Sequence, residues 1–281
     1  NHLGFELIAL SKNKLDITNK IQLREVVEDH NPDIIINAAA YTSVDLAEKN
    51  ENIAEEINHI GVKNIAELCK EHSIFLIHVS TDYVFDGLKR GPYEEADKVN
   101  PLNIYGISKK KGEDAIRKIL SDYIILRTSW VFSAHGHSFI KTVLGLLNSK
   151  KDINIVNDQF GCPTSSRSLA ECILTICSKY IETKKIQFGT FHFSGTPSTS
   201  WYSFALKITD LAYQNKIIDE MKEIKPVPSS DYGYIANRPP NSSLSSKKIS
   251  KTYNVNSSEW EKDLEQIIAS HSSVEGTHEL H

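Results

Sequence analysis

The sequence predicts an α/β protein built on a Rossmann-like, doubly wound parallel sheet, followed by a smaller C-terminal lobe. Over roughly the first 158 residues, short apolar runs alternate with amphipathic helical stretches, as is typical of βαβ units. Polar side chains follow directly after two of the apolar runs, where parallel strands would end. Beyond that point proline and glycine divide the chain into shorter elements, which indicates a change of architecture.

Each element of the first part has a local reason. Thr18 and Pro101 are residue types that open helices, and the intervening apolar runs are short enough for buried strands. The predicted elements are a strand at 7–10, a helix at 20–30, a strand at 34–36, helical sequence at 44–71, a strand at 74–79, a helix at 102–120, a strand at 123–128, a helix at 138–147 and a strand at 153–156. Right-handed crossovers would join these strands into one parallel sheet.

The predicted domain boundaries follow from the same change to shorter elements. We expect residues 1–158 to form the Rossmann-like domain and residues 159–271 to form mainly the second lobe, with some elements returning to the sheet. Residues 272–281 show no apolar periodicity, so we expect a disordered tail there.

Composition restricts the class of protein. With 281 residues, 40% hydrophobic and 24% charged, the chain fits an ordinary soluble globular protein. Its formal net charge of −4 argues against nucleic acid or an anionic membrane as the main partner, so a small-molecule substrate fits better. The four cysteines form no C-x-x-C pair, which favours reduced core thiols in a cytoplasmic protein. No signal peptide or bilayer-spanning apolar run is present in the sequence.

One set of side chains supplies a hydroxyl, a phenol and an ammonium, as a carbonyl-reducing site requires. Ser80 and Thr81 follow a buried strand, and Tyr105 and Lys109 lie four residues apart, on one face of a predicted helix. A phenol ordinarily has a pKa near ~10, so we expect a nearby cation to lower it. Thr81, Tyr105 and Lys109 are therefore the candidate catalytic residues.

The surroundings of this set matter more than its spacing. Tyr180 and Lys184 have the same spacing without a strand end beside them. The run 34–36, by contrast, leads into Asn37 and three alanines, whose small side chains would let a flat ligand approach the backbone. Two strand ends would then face one crevice, where ligands bind in open α/β sheets.

Six ordered motifs carry a resemblance to a known family over nearly the whole chain. They are NAAAYTSVDLAE (37–48), STDYVF (80–85), PLNIYGISK (101–109), RTSWVF (127–132), NDQFGCPT (157–164) and RPPNS (238–242). The chain resembles the dTDP-4-dehydrorhamnose reductases, which are extended short-chain dehydrogenase/reductases. The resemblance implies reduction of the 4-keto group of dTDP-4-dehydro-6-deoxy-L-mannose to dTDP-L-rhamnose with NADPH, or NADH as an alternative donor.

The resemblance also assigns roles. Tyr105 would give a proton to the C4 oxygen, Lys109 would hold the ribose and lower the phenol's pKa, and Thr81, with Ser80, would bind the substrate carbonyl. The resemblance implies further substrate contacts at Asp82, Trp130 and Arg238. It implies cofactor contacts at Asp16, Ile17, Ala38, Ala39, Ala40, Tyr41, Thr42, Val79, Tyr105 and Lys109. Ser11 with Lys12 would suit a 2′-phosphate, which favours NADPH.

The start of the sequence departs from the family. A dinucleotide fold opens with a strand and a Gly-rich turn, whereas this chain starts apparently just before the second strand. We expect the first strand, the glycine-rich turn and the first helix, about 20 residues, to be missing. The sheet would then lack a central strand, and the chain would be a fragment of a reductase.

Several alternatives were weighed. Tyr83 stands where 4,6-dehydratases carry a glutamate, epimerases of the group carry a Ser-Ser-Ala run in place of 80–82, and no G-x-S-x-G elbow supports a hydrolase. His135 and His137 lack further ligands at metal-site spacing, so we expect no metal site. A non-catalytic nucleotide-binding or regulatory protein, resembling the beta subunit of methionine adenosyltransferase, remains the alternative function. The chain could be a monomer or a homodimer.

Overall fold

The computed structural model describes residues 4–136, 138–149 and 152–275. Its strands are β1 (Ile34–Asn37), β2 (Phe75–Thr81), β3 (Tyr123–Thr128), β4 (Val131–Phe132), β5 (Ile153–Val156), β6 (Phe160–Gly161), β7 (Thr164–Ser165), β8 (Gly189–His192), β9 (Thr199–Ser200) and β10 (Ile224–Val227). Its α-helices are α1 (Lys20–His30), α2 (Val44–Ala47), α3 (Glu51–Glu55), α4 (Val62–His72), α5 (Ile104–Ile119), α6 (Phe139–Leu147), α7 (Ser166–Thr183), α8 (Trp201–Gln214), α9 (Lys247–Tyr253) and α10 (Trp260–Glu275). A π-helical turn, Glu56–Gly61, joins α3 to α4.

The main sheet has the order β1-β2-β3-β8, and all its strand pairs are parallel. Helices α1, α4 and α5 bury apolar side chains on one face, around Leu76 and Ile125. Helices α7 and α9 cover the other face, around Phe75 and Leu126. Because strand side chains alternate between faces, this two-sided cover explains the continuous apolar runs with which β1, β2 and β3 begin. The predicted doubly wound α/β fold is confirmed.

The second lobe has its own core. Strands β5 and β10 form a parallel pair, and α6, α8 and α10 pack on it through side chains such as Phe204, Ile208 and Leu264. We expected 138–147 and 153–156 to belong to the first domain, but α6 and β5 pack in this second core instead. A four-residue apolar run looks the same in either sheet, so the sequence could not show that β5 pairs with a strand about seventy residues later.

Three other predictions differ from the structure. Residues 7–10 form no strand, and Leu7 is 66% exposed. In the part of the chain that the structure describes, no strand pairs with the outer edge of β1, so residues 7–10 do not extend the sheet there. The helical stretch 44–71 is interrupted around residues 48–50. Helix α10 continues to Glu275, past the predicted start of the tail, because its backbone ladder extends beyond the buried Ile268. Residues 276–281 lie outside the described residues.

The four cysteines, Cys69, Cys162, Cys172 and Cys177, are free and buried. Burial raises the pKa of the Cys69 and Cys172 thiols to about 12, so both stay protonated at neutral pH. Within the described ranges, no helix is long and apolar enough to cross a membrane.

A buried ion cluster ties α5 to the sheet. Glu113, which is fully buried, accepts hydrogen bonds from Arg127 Nε at 2.9 Å and Arg127 Nη2 at 2.7 Å, and a third from Arg117 at 2.7 Å. The Ser80 hydroxyl donates to the same carboxylate at 2.6 Å. Burial would raise the carboxyl pKa, but the arginines and Ser80 outweigh it and hold the pKa of Glu113 at about 2.

The Glu113→Gln substitution should lower the free energy of unfolding at pH 7 by about 3 kcal/mol, because it leaves Arg127 buried without its carboxylate. Since folding depresses the Glu113 pKa, the contribution of Glu113 is present above its ordinary pKa of 4.5 and is lost as the pH falls toward 2. The difference between the variant and the parent should therefore shrink below about pH 4.

Urea unfolding at pH 7 and at pH 3 measures this effect. The control is Glu171→Gln, which breaks an exposed pair with Arg167 and should cost less than about 0.5 kcal/mol. Equal losses in the two variants at pH 7 would contradict a special role for the buried cluster.

Close helix packing generates a second prediction. A Cβ on Gly112 would lie 2.2 Å from the backbone oxygen of Asn58, whereas a Cβ on Gly145 in α6 would meet nothing within 4 Å. Gly112→Ala should therefore destabilise the fold by about 1–3 kcal/mol, and Gly145→Ala should stabilise it by up to about 1 kcal/mol. Thermal or urea unfolding of the two variants checks the opposite signs, and two shifts of the same sign would contradict the packing.

Candidate active site

Helix α5 presents Tyr105 and Lys109 on its buried face. The helix is fixed at its start, where the Asn103 side chain accepts the N–H of Gly106 at 2.8 Å and donates to the Asn237 carbonyl at 2.7 Å. A Cβ on Gly106 would lie 2.2 Å from the Tyr83 carbonyl, so glycine lets the helix approach the segment after β2. Tyr105 is 9% exposed and Lys109 is 1% exposed.

The Lys109 amine is held at the end of β2. Its Nζ donates to the Val79 carbonyl at 2.7 Å and lies 3.2 Å from Nε2 of His78. Burial lowers the pKa of Lys109 to about 8, and the charge of Glu113 opposes this shift. The amine is therefore much closer to losing its proton than an exposed lysine would be.

The phenol of Tyr105 corrects one expectation. We expected Lys109 to lower its pKa, but burial raises that pKa to about 12, and the hydrogen bond from Thr81 only partly offsets the shift. The reason is that Lys109 is directed to Val79 and His78, while the ring of Tyr105 packs edge-on against Tyr83 with centroids 5.6 Å apart. The phenol thus stays protonated at neutral pH, so Tyr105 carries the proton that a donor must supply.

The end of β2 carries polar atoms with unused hydrogen-bonding capacity. Thr81 Oγ1 donates to Asp82 Oδ1 at 3.0 Å and accepts the N–H of Tyr83 at 3.1 Å. The other Asp82 oxygen is buried without a protein partner, and so is Oγ1 of Thr128, whose residue is the register partner of Thr81 on β3. Burial raises the pKa of Asp82 to about 6. Two adjacent strand ends therefore offer free polar atoms to a ligand.

The loop after β1 has small, accessible side chains. Ala38, Ala39 and Thr42 are exposed, and Ala40 and Tyr41 are half-buried. The buried Asn58 side chain fixes this loop, since it accepts the Tyr41 N–H at 2.8 Å and donates to the Tyr41 carbonyl at 3.0 Å. The backbone there is held in place while its outer surface stays open.

Of the remaining predicted cofactor residues, three lie on the segment before α1 and one lies on β2. Ser11 is exposed, and its carbonyl closes a turn with Lys14. Asp16 accepts hydrogen bonds from the backbone and hydroxyl of Thr18 at 2.9 and 2.8 Å, and these bonds lower its pKa. Ile17 is buried against Gly61. Val79 is half-buried, and its carbonyl accepts a hydrogen bond from the Lys109 amine.

Trp130 and Arg238 are each held by a residue that sequence reasoning missed. Trp130 has a positive φ of 47° and stacks on Trp201 with ring centroids 3.5 Å apart. Arg238 pairs with Asp45 at 2.7 Å, lies 3.9 Å from the centroid of the Tyr234 ring, and keeps a buried Nε without a partner. The aromatic residue types gave no signal, because a core position and a stacking position read alike in sequence.

Glu113 was also missed, although a signal was available. It lies four residues beyond Lys109, so Tyr105, Lys109 and Glu113 share one helix face. Ser80, expected to help bind the carbonyl, instead donates its hydroxyl to Glu113. Its contribution to the site is thus through the buried ion cluster.

The second Tyr–Lys pair of the sequence, Tyr180 and Lys184, has a structural role. Lys184 lies over the ring of Tyr180 at 4.7 Å and pairs with Asp33 at 3.2 Å, so this pair with the same spacing anchors the end of α7.

Among the described residues no group of three or more His, Cys, Asp or Glu is placed to hold a metal ion, and His137 lies outside them.

Comparison with known proteins agrees with this geometry. Residues 1–273 match the RmlD substrate binding domain family. The chain is 40% identical over 265 residues to a dTDP-4-dehydrorhamnose reductase of Aggregatibacter actinomycetemcomitans, covering 94% of this chain and 90% of that protein. The Salmonella typhimurium reductase is 34% identical over 253 residues, covering 90% of this chain and 84% of the relative.

Solved structures give the same result. The dTDP-4-dehydrorhamnose reductase of Bacillus anthracis in complex with NADP superposes with a TM-score of 0.86 at 35% identity, covering 96% of this chain and 92% of that one. The Clostridium acetobutylicum protein superposes with a TM-score of 0.84 at 34% identity, covering 94% and 89%. This chain belongs to the dTDP-4-dehydrorhamnose reductase family.

Proposed function

We propose that this chain reduces the 4-keto group of dTDP-4-dehydro-6-deoxy-L-mannose to dTDP-L-rhamnose at the expense of NADPH. The observation that carries the proposal is the buried pair of Tyr105 and Lys109, which lies beside the exposed alanines after β1 and beside buried polar atoms of Asp82 and Thr128 that have no protein partner. Relatives that match nearly the whole chain are named for this reaction, and one of them was solved with NADP.

The residues present fit a nicotinamide dinucleotide. The exposed Ala38 and Ala39 leave the backbone after β1 open to a flat ligand, and Lys109 keeps an N–H beyond its contacts with Val79 and His78. We place the dinucleotide along residues 38–42 and Val79, with the ribose at Lys109. When bound, NADPH supplies the hydride. Ser11 and Lys12 are both exposed and would suit a 2′-phosphate better than a bare ribose diol, which supports NADPH over NADH.

Tyr105 is the proton donor in this proposal. As the C4 carbonyl carbon gains a hydride, its oxygen gains the phenolic proton, so the ketone becomes an alcohol and a phenolate remains. A protonated Lys109 would stabilise that phenolate, and the Thr81 hydroxyl would hydrogen-bond the oxygen while negative charge develops on it. Because burial raises the pKa of the phenol, Tyr105 holds its proton at neutral pH before the hydride is transferred.

The substrate would be held by groups around this centre. Asp82 and Thr128 offer buried polar atoms without protein partners, and Trp130 offers a ring face supported by Trp201. Arg238 is the candidate for the diphosphate, because its Nε is free and a guanidinium fork suits phosphate oxygens. We further propose that the chain works in the cytoplasm, which four free buried thiols support.

The Tyr105→Phe substitution tests the proposal. It should lower kcat for sugar reduction by about 10²–10⁴-fold and leave NADPH affinity nearly unchanged, because only the transferred proton is removed. The control is Tyr180→Phe, which removes a phenol with the same helical spacing outside the site and should keep full activity.

The measurements are NADPH oxidation with the dTDP-linked ketone and fluorescence titration with NADPH. Undiminished reduction by Tyr105→Phe would refute the proton-donor role. Binding of both ligands by the unmodified chain without reduction would favour the non-catalytic, regulatory alternative.

A further inference from the structure

A chain of buried polar groups connects the loop after β1 to Lys109. The Ala39 N–H donates to Asn37 Oδ1 at 3.0 Å, Asn37 Nδ2 lies 3.1 Å from His78 Nδ1, and His78 Nε2 lies 3.2 Å from Lys109 Nζ. Asn37 is 4% exposed, His78 is fully buried and Lys109 is 1% exposed. His78 therefore stands between the amide and the amine, away from water.

The direction of these hydrogen bonds follows from what each atom can do. An N–H can only donate, so the atom of Asn37 beside Ala39 N is the carbonyl oxygen, and the atom beside His78 is the NH2 group. The NH2 group donates, so His78 Nδ1 must accept and carries no proton. Burial and the charge of Lys109 hold the His78 pKa well below its usual value, so the ring is neutral. Its single proton must then lie on Nε2.

This tautomer acts on Lys109. The Nε2–H needs an acceptor, and an ammonium has none, whereas a neutral amine offers one lone pair. A neutral Lys109 would accept from His78, donate to the Val79 carbonyl at 2.7 Å and keep one N–H for the cleft. An ammonium would instead bring two N–H groups face to face at 3.2 Å. The arrangement favours loss of the lysine proton.

Other charges near the pair do not reverse this effect. Glu113, one turn further along α5, favours the protonated forms of both Lys109 and His78, but its carboxylate is already paired with Arg127 of β3 and with Arg117. Tyr105, one turn before Lys109, is neutral at working pH because burial raises its pKa to about 12.

We propose that His78 is a positioning residue that acts on Lys109. Held by Asn37 in the Nε2–H tautomer, it promotes release of the Lys109 proton and so limits the reaction, which uses the protonated amine, at high pH. This inference rests on the proposed role of Lys109 in reduction. It assigns to Asn37 and Ala39, at the start of the cofactor loop, control over the charge of the amine. The reductase should then lose kcat/KM as the pH rises through the pKa of Lys109, about 8.

The tautomer can be read directly by 15N NMR of the full chain labelled in histidine. His192 provides an internal control, because it is also fully buried and its Nδ1 lies 3.1 Å from the Tyr93 carbonyl, which requires a proton on Nδ1. The protected ring N–H signals should therefore comprise one Nδ1–H, from His192, and one Nε2–H, from His78. An Nδ1–H on both buried rings would overturn the proposal.

The Asn37→Asp variant tests the effect on Lys109. A carboxylate would still accept from Ala39, but it would draw the His78 proton to Nδ1 and leave Nε2 as an acceptor for the ammonium. The basic limb of the kcat/KM pH profile should move upward by about one pH unit, and by less than about half of that in a His78→Leu background, where only the added charge acts.

Equal shifts in the two backgrounds would show that the charge alone acts and would refute the role of His78. If the unmodified chain does not reduce the sugar at all, the proposed function fails, and the ring N–H signals still decide the tautomer. A shift at least twice as large with His78 intact as in the His78→Leu background, together with the Nε2–H signal, is the result that we expect.

Discussion

Lys109 brings an amine into the interior, between α5 and the end of β2, and the surrounding structure reflects the cost of burying that group. Moving an ammonium out of water costs several kcal/mol unless other groups replace the lost hydration. The Val79 carbonyl accepts from the amine and Glu113 supplies an opposite charge one turn away, whereas the Nε2–H of His78 favours the neutral amine. Burial of the amine therefore lowers its pKa.

The same requirement shapes α5 and its neighbours. The helix can approach the sheet closely because Gly106 and Gly112 leave room for the backbone of the segment after β2 and for the π-helical turn before α4. That turn carries Asn58, which holds both the loop after β1 and Ser108 on α5. Helix, loop and strand ends are thus one packed unit, so the positions of Tyr105 and Lys109 relative to the open loop are set by the core.

Much of this could be predicted from sequence, because strands β1 to β3 and helix α5 have strong local patterns. The pair of Tyr105 and Lys109 was found because helical spacing and a preceding strand end are local signals as well. Pairing partners are not local, which is why β5 was placed in the wrong sheet and why residues 7–10 were predicted as a strand. The raised pKa of Tyr105 could not be foreseen either, since it depends on burial and on the direction in which Lys109 points.

The central claim is that this chain transfers a hydride to C4 of a dTDP-linked ketone while Tyr105 protonates the oxygen. The most direct test is to incubate the chain with dTDP-4-dehydro-6-deoxy-L-mannose and NADPH that carries deuterium at both hydrogen positions of nicotinamide C4, and to analyse the sugar by NMR and mass spectrometry. The account predicts dTDP-L-rhamnose with deuterium at C4 of the sugar. Recovery of unreduced ketone from a chain shown to bind both ligands, or of a product without deuterium at C4, would contradict it.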